Sequence, residues 1–120
     1  MYTCQKADEY IEKNRVDRAD KPEFHLTTPV GWLNDPNGFS IYGGKAHLFY
    51  QFHPYSTEWG PMHWGHSTSD DFIRWEELPT ALAPDSDYDA FGCFSGTAIE
   101  NDGKHVLFYT GVVEEKLADG

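Results

Sequence analysis

A chain of 120 residues holds one small domain or a piece of a larger one, and 20 acidic against 9 basic side chains give a formal charge of −11. That balance repels phosphate backbones and anionic headgroups, so no nucleic acid and no membrane partner is expected. No apolar run approaches the length that spans a bilayer, and the charged opening Met1 to Glu9 is unlike a signal peptide, which points to a cytoplasmic protein.

From Tyr2 to about Arg18 the sequence lacks Gly and Pro, mixes charges of both signs and sets Ala7, Tyr10, Ile11 and Asn14 at helical spacing, which predicts a short amphipathic helix. Lys21-Pro22 stops it, because the residue before proline is pushed out of the α region. Residues 1–21 therefore read as a helical leader and residues 22–120 as a separate β unit.

Beyond the leader, short β-branched and aromatic runs alternate with turn formers. Phe39 to Tyr42 and Ala46 to Phe52 flank Gly43-Gly44 as a hairpin. Met62 to Thr68 and Phe72 to Leu78 form a second pair around Ser69-Asp70-Asp71. Phe94 to Ile99 and His105 to Tyr109 form a third across Asn101-Asp102-Gly103. Strands at this spacing without intervening helices predict an antiparallel all-β architecture. No glycine-rich phosphate loop joins a strand to a helix, so a nucleotide-binding fold is not expected. The polar tail Glu114 to Gly120 reads as a hairpin interrupted before its partner strand.

Asn34-Asp35-Pro36-Asn37-Gly38 has the composition of a turn, with proline fixing one φ and glycine free to take a positive one. Trp32 and Leu33 precede it and set the acid at the rim of an apolar element. Gln51 lies in a strand, where its amide can donate and accept toward paired hydroxyls or simply be half-buried. Trp59 follows the turn residues Pro54 to Glu58 and can stack on a sugar face; Trp64 and Trp75, within strands, read as core. His63 and His66 stand three apart in a strand and so point to opposite faces, which argues against a metal site. Asp85, Asp87 and Asp89, among Pro84 and Ser86, read as a solvated loop. Cys4 and Cys93 have no metal-like spacing and read as two reduced thiols.

The run from His25 to Gly38 resembles the signature that opens glycoside hydrolase family 32, which contains invertases, sucrose-6-phosphate hydrolases, inulinases and levanases. Further matches follow in that family's order: Leu48 to Pro54, Trp59 to His66, Ser69 to Trp75, and Gly92 to Ala98. Together they cover about Phe24 to Gly111. Thr28 stands where the family commonly has proline, and Thr97 where it commonly has serine.

The resemblance implies the first blade and part of the second of a five-bladed β-propeller, preceded by the short N-terminal helix, so that residues 22–120 are the incomplete N-terminal part of a catalytic domain. It implies Asp35 as the catalytic nucleophile attacking the anomeric carbon of a β-fructofuranosyl unit. It implies substrate contacts from Leu33, Asn34, Asp35, Pro36, Gln51, Trp59, Phe94 and Ser95. Without the resemblance, Phe94 reads as packing and Ser95 as a strand-edge hydroxyl. The implied substrate is a sugar, either sucrose, sucrose 6-phosphate or a fructan; no cofactor and no metal are implied. Family members carry an acid/base Glu in a Glu-Cys motif and a stabilising Asp in an Arg-Asp-Pro motif, and these 120 residues contain neither motif. The chain alone is therefore expected to be inactive, its partner being the C-terminal remainder of the enzyme; a fructoside-binding module or an inactive remnant is the alternative.

Overall fold

The structure, a computed structural model, describes residues 1–114; the predicted tail beyond Glu114 lies outside the described residues. The helix α1 spans Cys4–Asn14, shorter at both ends than predicted. Thr3 caps it by accepting from the Lys6 N–H at 3.2 Å. It ends where Arg15 takes ψ 131° and the Val16 N–H turns to the Pro29 carbonyl at 2.9 Å. A single 3₁₀ turn, Arg18–Asp20, follows. Ala7 and Ile11, one turn apart, are the buried positions, and Ile11 packs with Tyr50 and Phe52 against Leu26, Val30 and Leu33.

Six strands follow: β1 Trp32–Tyr42, β2 Lys45–His53, β3 His63–Ser69, β4 Glu76–Leu82, β5 Gly92–Asn101 and β6 Lys104–Val112. The first four form one antiparallel sheet in chain order, and β5 and β6 pair as a second. This is the predicted all-β arrangement, one four-stranded unit and two strands of the next. Two-residue turns close β1–β2 and β5–β6. Gly43 and Gly44 have φ of 59° and 77°, and Asp102 and Gly103 have 50° and 73°, the doubly positive pattern that matches strand twist.

Most strand ends move by a residue or more from prediction, and two strand starts, those of β1 and β4, move furthest. β1 begins at Trp32, so the Asn34–Gly38 run is bulged strand and not a turn. Pro36 is accommodated because β1 is an edge strand of its sheet. β4 begins at Glu76 instead of Phe72, because side-chain oxygens take the preceding backbone N–H groups. Ser69 Oγ accepts from Phe72 N–H at 2.9 Å, and Asp71 Oδ1 from Ile73 and Arg74 N–H at 2.9 and 2.8 Å. The Arg74 and Ile73 N–H bonds also hold the Asp71 carboxyl below its ordinary pKa.

Side-chain bonds fasten the leader to β4. Asp8 accepts from the Thr80 N–H at 2.8 Å, and Glu77 pairs with Arg15 and, at 2.7 Å, with Lys21. The helix thereby covers part of an exposed sheet edge. A second core cluster, Phe49, Trp64 and Cys93 with Ala98, Leu107 and Tyr109 around it, joins the two sheets. Where β1 meets β5 the chain uses a glycine: a Cβ on Gly38, at φ 55°, would stand 3.0 Å from both Ala98 Cβ and a ring carbon of Phe49.

Candidate active site

β1 and β5 lie side by side across the junction of the sheets, and each is bulged at the same level. Leu33 pairs with Phe52 and Pro36 with Tyr50, which leaves Asn34 and Asp35 together opposite Gln51. Phe94 pairs with Thr110 and Gly96 with Tyr109, which leaves Ser95 as the extra residue of β5. Bulges re-aim side chains, and these two aim at each other: Ser95 Oγ donates to Asp35 Oδ2 at 3.3 Å, across 60 positions of chain. Both side chains remain exposed.

Around this pair the polar groups have set orientations. Trp32 Nε1–H donates to Asn34 Oδ1 at 2.8 Å, so the Asn34 amide presents its N–H₂ outward. Gln51 is only 3% exposed, and its Nε2 donates to the Cys93 carbonyl at 2.9 Å. Trp64, fully buried as predicted for a core tryptophan, donates from Nε1 to the next carbonyl, Phe94, at 3.1 Å. The Cys93 N–H in turn bonds the Met62 carbonyl at 2.8 Å. The first residues of β5 are thus pinned to the first sheet on both sides of the chain.

Trp59 is 47% exposed; its ring centroid lies 6.2 Å from Phe94 in an edge-on arrangement and 5.9 Å from Phe91. Those three rings form an aromatic wall beside Ser95. Of the residues expected at the substrate, Asn34, Asp35, Pro36, Trp59, Phe94 and Ser95 come together at a surface that solvent reaches. Leu33 packs toward the Ile11 core, and Gln51 is interior, where its amide links the sheets.

Sequence reasoning missed Trp32 as the orienting donor, although its spacing of two from Asn34 puts both on one strand face. It missed Phe91 as a member of the wall, and nothing local distinguishes that residue from a packing phenylalanine. Asp89 is a correction: the loop reading made it solvated, yet it is 2% exposed, with Tyr109 Oη donating to it at 2.7 Å. Cys4 and Cys93 are free thiols.

His63 is buried with Nδ1 donating to the Pro61 carbonyl at 2.9 Å, and burial pushes its pKa down to about 4. His66 stacks on Phe49 with centroids 4.1 Å apart; burial first, and then the neighbouring His47 and His105, lowers it to about 4 as well. Among the described residues no group of three or more His, Cys, Asp or Glu is placed to hold a metal ion, and no helix is long and apolar enough to cross a membrane. A surface hollow of about 1240 Å³ lies away from this site, between the leader and the β3–β4 connection, and includes none of the expected substrate residues.

Residues 25–119 match the description "Glycosyl hydrolases family 32 N-terminal domain". The chain belongs to glycoside hydrolase family 32. It is 54% identical over 90 residues to a sucrose-6-phosphate hydrolase of Zymomonas mobilis, covering 75% of this chain and 18% of that protein. It is 53% identical over 107 residues to a raffinose invertase of Escherichia coli, covering 88% and 22%. Among solved structures, the family 32 β-fructofuranosidase of Bombyx mori superposes with a TM-score of 0.84 at 48% identity, over 96% of this chain and 24% of that one. The chain spans about a fifth of the length of the curated relatives it matches. In family terms it corresponds to the N-terminal part of such an enzyme.

Proposed function

We propose that this chain carries the nucleophile half of the site of a retaining β-fructofuranosidase, acting on sucrose or sucrose 6-phosphate. The observation that carries the reading is the meeting of two bulges, which leaves Asp35 exposed at an otherwise packed junction with one hydroxyl donor, Ser95, on it. An ionised carboxylate so placed can attack an anomeric carbon. Ser95 steadies the carboxylate, the Asn34 amide donates to sugar hydroxyls, and the wall of Trp59, Phe91 and Phe94 offers apolar faces to sugar C–H groups.

Retaining hydrolysis needs a second carboxyl group about 5–5.5 Å from the first, protonated to release the leaving oxygen and then acting as base for water. The 120 residues contain neither the Glu-Cys nor the Arg-Asp-Pro motif, and they span about a fifth of the length of the matched relatives. We therefore assign the acid to another part of the complete enzyme, completed as a five-bladed propeller with a pocket on its axis, so that the 120-residue chain by itself is inactive. The choice of sucrose rests on relatives named as sucrose-6-phosphate hydrolases and on a Bombyx mori family member solved in complex with sucrose.

The test is rapid acid quench of the complete enzyme turning over sucrose, followed by peptide mapping. A fructosyl adduct on the peptide holding Asp35 is expected, with β-fructofuranose as the first product seen by NMR. An adduct elsewhere, or the α anomer first, overturns the assignment.

A further inference from the structure

We propose that Asp89 is a positioning residue of this site: its buried carboxylate holds the start of β5 where the Ser95 bulge meets Asp35. The inference rests on the reading of Asp35 as nucleophile and adds a residue that touches neither the sugar nor the reacting atoms.

A carboxylate buried to 2% exposure is expensive to keep unless donors compensate it. Asp89 has no cation on it among the described salt bridges and hydrogen bonds; it has three neutral donors. Oδ1 accepts from the Ser86 N–H at 2.9 Å, and Oδ2 accepts from Tyr109 Oη at 2.7 Å and from Cys93 Sγ at 3.6 Å. An apolar side chain would fill the same space without the desolvation cost, so what the carboxylate adds is directional restraint on its three partners.

Two of those partners flank the bulge. Cys93 stands two residues before Ser95, and Tyr109 pairs with Gly96, the residue just after it. Every polar group of Cys93 is engaged: its N–H by Met62, its carbonyl by Gln51, its thiol by Asp89. The backbones also pack closely here: a Cβ on Gly96 would stand 1.9 Å from the Phe108 carbonyl oxygen, and one on Gly111 of the facing strand would stand 2.4 Å from that of Tyr88. Asp89 is thus the point where the β4–β5 loop, β5 and β6 are tied together, and the free end of that tie is the Ser95 hydroxyl on Asp35. Burial raises the pKa of the Cys93 thiol and of the Tyr109 hydroxyl, the Asp89 charge adds to it at the thiol and the hydrogen bond to Asp89 adds to it at the hydroxyl, so both remain donors.

The experiment is a double-mutant cycle on fructose release from sucrose by the full-length enzyme. Variants are compared per folded molecule, counted by near-UV dichroism, at a temperature well below their unfolding midpoints. Asp89→Asn is expected to lower kcat about tenfold with KM held within about threefold, the size of effect that a small misplacement at a reacting pair produces. In a Ser95→Ala background the same substitution is expected to lower kcat by less than about threefold, because the route through Ser95 is already gone. Should Asp89→Asn fail to fold, Tyr109→Phe, which keeps the carboxylate and removes its shortest donor, runs the same cycle. Equal falls in both backgrounds, or a lower unfolding midpoint with kcat unchanged, overturns the proposal and leaves Asp89 a structural residue. Asp35→Asn runs alongside. If it keeps the parent rate, the nucleophile reading fails and takes this inference with it; if it is inactive and the cycle is additive, only this inference fails.

Discussion

The junction between the two sheets, where β1 meets β5 and, farther along, β6, has two ends of opposite character. At one end Asp35 and Ser95 face each other from bulges with their side chains open to solvent. At the other, Tyr42 stacks on His105 at 4.6 Å, His105 packs edge-on to His47 at 4.8 Å, and His47 Nε2 donates to the Tyr42 carbonyl at 3.0 Å. Between them Gly38 lets the strands touch. The polar groups at the far end satisfy one another; those at the near end are held in place by interior donors and leave capacity for a ligand. A seam that is closed by packing along most of its length can keep its open end in a set geometry, which is what the proposed nucleophile Asp35 would need.

The sharpest way to break this contrast is at the open end. Asp35→Asn in the complete enzyme is expected to lower sucrose hydrolysis by at least about a thousandfold while near-UV dichroism stays that of the parent, since an amide is nearly isosteric but a poor nucleophile. A rate within about tenfold of the parent would remove Asp35 from the chemistry.

Trp64→Ala attacks the closed part. It empties a fully buried site and frees the Phe94 carbonyl, so a loss of about 3–5 kcal/mol is expected from denaturant unfolding. A loss under about 1 kcal/mol would mean that the two sheets do not depend on this contact.

Trp59→Ala probes the aromatic wall and is expected to lower kcat/KM for sucrose about tenfold with little change in unfolding midpoint, because the ring is 47% exposed. An unchanged profile across several fructosides would return Trp59 to packing alone.

The smallest effect is expected from acid at the far end. His66 has its folded pKa depressed from 6.5 to about 4, chiefly by burial and next by His47 and His105, while Glu100 acts the other way on His105. For a histidine kept neutral by folding, the stability is present above the unfolded value and is lost as pH falls from about 6.5 through about 4. After discounting for its partial exposure to solvent, the loss is on the order of 1 kcal/mol. Unfolding midpoints measured from pH 7 to pH 4 should fall less steeply in His66→Phe than in the parent; parallel curves would remove His66 as the cause.

The alternation of apolar residues and the Gly-Gly and Asp-Gly turns determined by themselves that this chain is antiparallel β after one helix, because side-chain period and positive φ are local properties. The family signature likewise marked Asp35, Asn34, Trp59, Phe94 and Ser95, since residue types in a fixed order survive without any contact between them. Local rules failed where a partner far along the chain supplied the deciding bond. Asn34 to Gly38 looked like a turn, and only pairing with β2 made it bulged strand. Asp89 looked solvated, and only Tyr109 and Cys93 made its burial possible. The contact of Ser95 with Asp35 belongs wholly to the tertiary structure. It depends on Gly38 letting β1 touch β5 and on Gln51 and Trp64 holding consecutive carbonyls of β5, and packing distances of that kind leave no periodic trace in a sequence.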